Sequence, residues 1–134
     1  MADPERDTPL DQLRLDHTTF EDTRELDIVA DEVALYLRQG DFAAVKAFFV
    51  VQELADIASL LEHMDDEDAL TAIRQLPVED RAEILGHIRP RSQVALARKM
   101  SREDLARLMA AMSHDERADL YKALDPEARE QVLP

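Results

Sequence analysis

MDDEDALTAIRQLPVEDRAEILGHIRPRSQVALARKMSREDLARLMAAMSHDERADLYKAL, Met64 to Leu124, repeats one apolar pattern along its whole length. An apolar anchor returns every 12 residues, at Met64, Leu76, Ile88, Met100, Met112 and Leu124. Four positions before each stands Leu60, Ala72, Ile84, Leu96, Leu108 or Leu120. Three positions before each stands Leu61, Ile73, Leu85, Ala97, Met109 or Tyr121. Spacings of three and four put such residues on one face of a helix, so every unit carries its own apolar stripe.

The residues just after the anchors are helix-start chemistry. They are Asp65, Pro77, Arg89, Ser101, Ser113 and Asp125, and Pro90 and Pro126 follow one position later, where a first helical turn tolerates proline. Ser101-Arg-Glu-Asp104 and Ser113-His-Asp-Glu116 have the form Ser-x-x-acid, of which Ser113…Glu116 is the better capping box because its acid is Glu. Each unit therefore reads as a cap, a helix of about nine residues and an immediate restart. Helices so short are marginal alone, because nucleation is costly and few hydrogen bonds repay it. They must be held by neighbours. The expected solution is an all-α superhelix of short stacked helices, two 12-residue units making one 24-residue helical pair. A small irregular helical bundle is the alternative.

Upstream, LDIVADEVALYLRQGD reads as a first helix ending at a C-cap glycine, Gly40. DFAAVKAFFVVQELADIASLLEHM reads as two helices meeting near Gln52–Ala55. Residues 1–23 are charged and poorly periodic, and are read as an acidic, disordered or loosely attached tail ahead of a helical domain over 24–134.

Composition supports the helical reading. Only two of the 134 residues are glycine and 4% are aromatic, so the core must be built from Leu, Ile, Val, Ala and Met. Thirty acids against 16 bases leave a formal charge of −14, which argues against a binder of nucleic acid backbones and for attraction of cations or basic partners. There is no cysteine, hence no disulfide or thiolate metal site. No apolar run approaches the roughly 20 residues of a membrane span, and no signal peptide is expected. Nothing pairs a nucleophile with a base or makes a glycine-rich phosphate loop, so no enzyme is expected.

The runs GDFAAVKAFF, ADIASLLEHM, LPVEDRAEILGHI and MSHDERADLYKAL, in this order and spacing, resemble the cytosolic N-terminal domain of MgtE-type magnesium transporters over about residues 26–133. That family shows G-D-x-x-x-L, D-[IL]-A-x-L-L, L-P-x-x-x-A-A-E-V-L and L-x-x-D-D-x-A-D-x-L segments. The resemblance implies a right-handed superhelix that precedes paired CBS domains and the pore of a dimeric transporter. It also implies a cytoplasmic Mg²⁺ sensor at the inner face of the membrane, in which Mg²⁺ bridges acids of this domain to acids of the CBS domains and holds the pore closed. The acids that match are Glu83, Asp115 and Asp119. The sequence departs from the family where D-D-A-A-D reads D-E-R-A-D, which sets Arg117 inside the acidic motif and predicts a weakened cation site. With no CBS sequence or membrane segment after Pro134, the chain is expected to be either a segment of a larger transporter or a freestanding relative.

Several residues admit a plainer account. Asp115 follows Ser113 in a first turn, where an acid complements the helix dipole without any metal. Glu83 fits a solvated face. Asp119 has less local reason to be acidic, with only a weak pairing to Lys122 on offer. The densest acidic run, Asp65–Asp68, reads as cap and first-turn acids. The histidines have no zinc-like spacing. The basic stretch RPRSQVALARKMSR lacks aromatics for base stacking and reads as a solvated face or a dock for an acidic protein, and AFFVV as core or as a partner patch. Beside the Mg²⁺-sensing reading stands a freestanding protein–protein interaction module of the kind found in flagellar motor switch proteins and motor-associated chaperones, with no metal role.

Overall fold

The computed structural model describes Leu10 and residues 23–130, and the described residues contain helices and no strand. Helix α1, Thr23–Arg38, is followed by α2 (Phe42–Val50), α3 (Leu54–Glu62), α4 (Asp66–Ile73) and α5 (Val78–His87). Then come α6 (Pro90–Lys99), α7 (Arg102–Ala111), α8 (His114–Ala123) and α9 (Pro126–Glu130). None of the helices among the described residues is long and apolar enough to cross a membrane.

The apolar stripe predicted from the repeat is the core. Leu60, Ala72, Ile84, Leu96, Leu108 and Leu120 are all buried, as are Leu61, Ile73, Leu85, Ala97 and Met109 beside them. Met64 and Tyr121 are partly buried against the same cluster. Helix α3 packs on α5 and α5 on α7, while α4 packs on α6 and α6 on α8. The chain thus climbs in two rows, each helix resting on the one two before it, which is the expected 24-residue pair. Helix α1 lies against α2, α3 and α4 at the first turns. Leu10, inside the segment read as a tail, is buried in the core cluster; residues 1–9 and 11–22 lie outside the described residues. AFFVV divides, with Phe48 and Phe49 in the core and Val50 82% exposed.

With almost no loop between them, the helices depend on how their ends are satisfied. Helix α1 stops as its glycine predicts. Gly40 takes φ +77°, its N–H donates to the Leu37 carbonyl at 3.0 Å, and the Asp41 N–H reaches the Tyr36 carbonyl at 2.9 Å, the two bonds of a Schellman motif. At helix starts, Asp41 Oδ1 accepts from Ala44 N, Ser101 Oγ from Asp104 N and Ser113 Oγ from Glu116 N. Asp65 stands at the cap position of α4, but its side chain makes no cap bond, contrary to the expectation that the DDED run supplies one.

The other ends are closed by a device the apolar repeat does not reveal. A long polar side chain in each of several helices turns back onto the carbonyls that end the helix before. Arg81 in α5 donates through Nε to the Leu76 carbonyl at 2.7 Å and through Nη2 to that of Arg74 at 3.1 Å. Gln93 in α6 donates to Leu85 at 2.7 Å and Ile88 at 2.8 Å. Arg117 in α8 reaches Met112 at 3.1 Å, and Arg129 in α9 reaches Tyr121 and Lys122. These four occupy one position of the 12-residue repeat, interrupted by the buried Leu105 of α7. Cationic donors are well suited there, because the carbonyl end of a helix is its negative pole.

Replacing Arg81 by Ala should therefore lower stability by about 2 kcal/mol, two carbonyl bonds at roughly 1 kcal/mol each. Arg91→Ala, an exposed position with no such bond, should stay within about 0.5 kcal/mol of the parent. Urea unfolding of both variants reads the difference, and equal losses would remove the capping role of Arg81.

Candidate metal site

Helix α8 begins with the capping box predicted from sequence, but only half of it forms. Ser113 Oγ accepts the Glu116 N–H at 3.3 Å, while the Glu116 carboxylate makes no return bond to Ser113 among the described residues. It lies across α5 instead. A Cβ placed on Gly86 would sit 2.9 Å from Glu116 Oε2 and 3.1 Å from Oε1. The start of α8 and the end of α5 therefore meet directly.

Each of the three acids named from the sequence lies within one helical turn of a residue in this contact. Glu83 lies on α5 one turn before Gly86, and Asp119 lies on α8 one turn after Glu116, so each shares the helix face of a contact residue. Asp115 is in the first turn of α8, one turn before Asp119. All three are exposed, and none makes a hydrogen bond or ion pair among the described residues. They do not close into a cage: no group of three or more His, Asp or Glu among the described residues is gathered tightly enough to hold a metal ion. The donor set suits a hard cation that keeps much of its water and takes further oxygen ligands from a second body. Arg117, inside the acidic motif, forms no ion pair with these acids among the described residues. Its guanidinium turns back to the Met112 carbonyl, and Arg117 Nε is buried without a hydrogen-bond partner among the described residues.

Among the described residues, six acids elsewhere meet a base: Asp27, Glu62, Asp66, Asp68, Asp104 and Asp125. In the DDED run, Asp68 pairs with Arg38 at 2.8 Å and Asp66 with Lys99 at 3.5 Å, across an open basin of about 730 Å³. Glu62 Oε1 accepts both the backbone N–H and Nε of Arg89, so a residue of α3 caps the start of α6. Arg74 faces Asp104 at 3.5 Å and Arg98 faces Asp125 at 3.0 Å. The basic stretch thereby meets acids of the same chain through Arg89, Arg98 and Lys99. His63, the C-cap of α3, contacts Asp27 of α1 at 2.7 Å. These partners are 27 to 36 residues apart, beyond the reach of local patterning.

The family model described as the MgtE intracellular N domain matches residues 52–134, more than half of the chain. The match begins at Gln52, so the GDFAAVKAFF part of the resemblance lies ahead of it. No curated protein matches the chain.

Their ion pairs mark Asp66 and Asp68 as structural acids. Asp66→Asn and Asp68→Asn should each lower stability by under about 1 kcal/mol, the scale of exposed ion pairs, and should leave any localised Mg²⁺ response unchanged. Thermal unfolding with and without Mg²⁺ tests both halves, and loss of the response in either variant would move the site to the DDED run.

Proposed function

The chain belongs to the family of MgtE intracellular N domains, regulatory domains of magnesium transporters, and from that premise we propose that it senses cytosolic Mg²⁺ through Glu83, Asp115 and Asp119. The observation that supports this reading is electrostatic. In a chain of net charge −14, these three are exposed and form no ion pair among the described residues, as is also true of acids such as Glu67 and Glu79, but these three lie within one turn of the point where two helices touch, at Gly86 and Glu116. Such a surface repels a second acidic surface, over a range of about 8 Å at physiological ionic strength. Carboxylate oxygens from both sides, joined through a hard divalent cation and its waters, reverse the sign of that interaction.

In this reading the partner is the pair of CBS domains of the same transporter, whose acids complete the site. The full-length protein is a homodimer, and docking of the superhelix at high Mg²⁺ holds the transport path closed. At low Mg²⁺ the uncompensated acids push the two bodies apart. The superhelix supplies a stiff platform, because α5 and α8 are each set by packing in a different row. Binding by the isolated domain is weak, on the order of millimolar, as expected of an exposed site with few protein ligands.

An amide NMR titration with Mg²⁺ at constant ionic strength tests the assignment. The expected shifts cluster in α5 around Glu83 and in the first two turns of α8, and the triple substitution Glu83→Gln, Asp115→Asn, Asp119→Asn removes them. Shifts spread evenly over every acidic helix start would mean screening alone and would sink the site.

A further inference from the structure

We infer that Gly86 is a positioning residue of this site: by carrying no side chain, it leaves the α8 acids without the cation that Arg38, Arg74 and Arg98 supply at the same position of the repeat. The inference rests on the Mg²⁺-sensing reading and adds a residue to it. Across the superhelix, Arg38 meets Asp68 and Arg74 meets Asp104, each base 30 residues before its acid. Gly86 and Glu116 stand in the same relation, and they touch. Arg74, Gly86 and Arg98 also share one position of the 12-residue repeat, and both arginines are ion-paired. The position is not uniformly basic, since it also holds Val50, Glu62 and Ala110; at Gly86, as at Val50 with Asp80 thirty residues on, the acid of the ladder is present and the base is missing.

The backbone gives no reason for glycine here. Gly86 lies within α5, and Gly40 is the glycine with positive φ. The three atoms nearest to a Cβ at position 86 all belong to the Glu116 carboxylate, the movable end of a flexible side chain. Glycine in a helix is less favourable than alanine, so the position gives up local stability. An arginine there would face Glu116 near the negative end of α5 and cancel part of the field around Glu83 and Asp119.

Three substitutions test this by sign. Gly86→Arg should raise Tm at low salt, with much of the gain lost in 1 M NaCl, and should raise the Mg²⁺ midpoint by about threefold to tenfold. Gly86→Glu should lower Tm and lower the Mg²⁺ midpoint. Gly86→Ala should raise Tm, since alanine is the better helix former and the Glu116 carboxylate can move aside, and its midpoint is the uncharged reference against which the Arg and Glu midpoints are read. A merely structural role would shift the Arg and Glu variants in the same direction, and that result, or a midpoint indifferent to both charges, overturns the inference. A parent chain with no localised Mg²⁺ shifts overturns the sensing reading instead. In that case the salt-dependent Tm of Gly86→Arg still decides whether position 86 is the missing base of the ladder, and no gain overturns it.

Discussion

A helix of ten residues has four N–H groups and four carbonyls that its own turns cannot satisfy, about two for every three that it satisfies. This chain strings such helices together with two to four residues between them, so its stability is governed by what happens at those ends. Serine and aspartate side chains close some of the starts. The carbonyl ends are closed by Arg81, Gln93, Arg117 and Arg129, each reaching back from the following helix. That bond both satisfies the carbonyls and fixes the angle at which the next helix departs. A superhelix is the cumulative result of the same departure repeated every 12 residues.

Packing and charge then divide the work. Within each row, helix rests on helix through the Leu, Ile, Ala and Met stripe, which supplies the non-directional part of the stability. Between helices three apart, ion pairs such as Arg38–Asp68, Glu62–Arg89 and Arg98–Asp125 bind successive turns. Exposed pairs contribute little energy individually. Their larger consequence is local neutralisation, which leaves the strongly acidic chain with an uneven surface. Where α5 and α8 meet, the acids have no such partners.

The same geometry limits what the site does alone. Two carboxylates on one helix and a third on another, all exposed, offer ligands without enclosing an ion. In the proposed sensing role, such a site would bind firmly only when a second surface contributes, which would make cation binding and docking one event. A regulatory element that must release as the cation is depleted requires that coupling, whereas a buried cage of protein oxygens would hold its ion more tightly.

The sequence by itself determined the helices and their stacking. The repeat at Leu60, Ile84 and Leu108 and at Ala72, Leu96 and Leu120 already names the buried faces, and Gly40 and Ser113 mark helix boundaries. These features were legible because helical faces and caps are set by residues within four positions of one another. The four back-folding side chains left a weaker trace, a single repeat position broken by Leu105, and their role depends on where a carbonyl points after a turn. What only the tertiary structure decided is which charges meet. Asp66 and Asp68 are matched by bases from distant helices, Arg117 turns away from the acids beside it in sequence, and Glu116 leaves its capping box to lie on Gly86. Charge pairing depends on distance in space, and here that distance is set by the superhelical rise, which brings together residues about 30 positions apart.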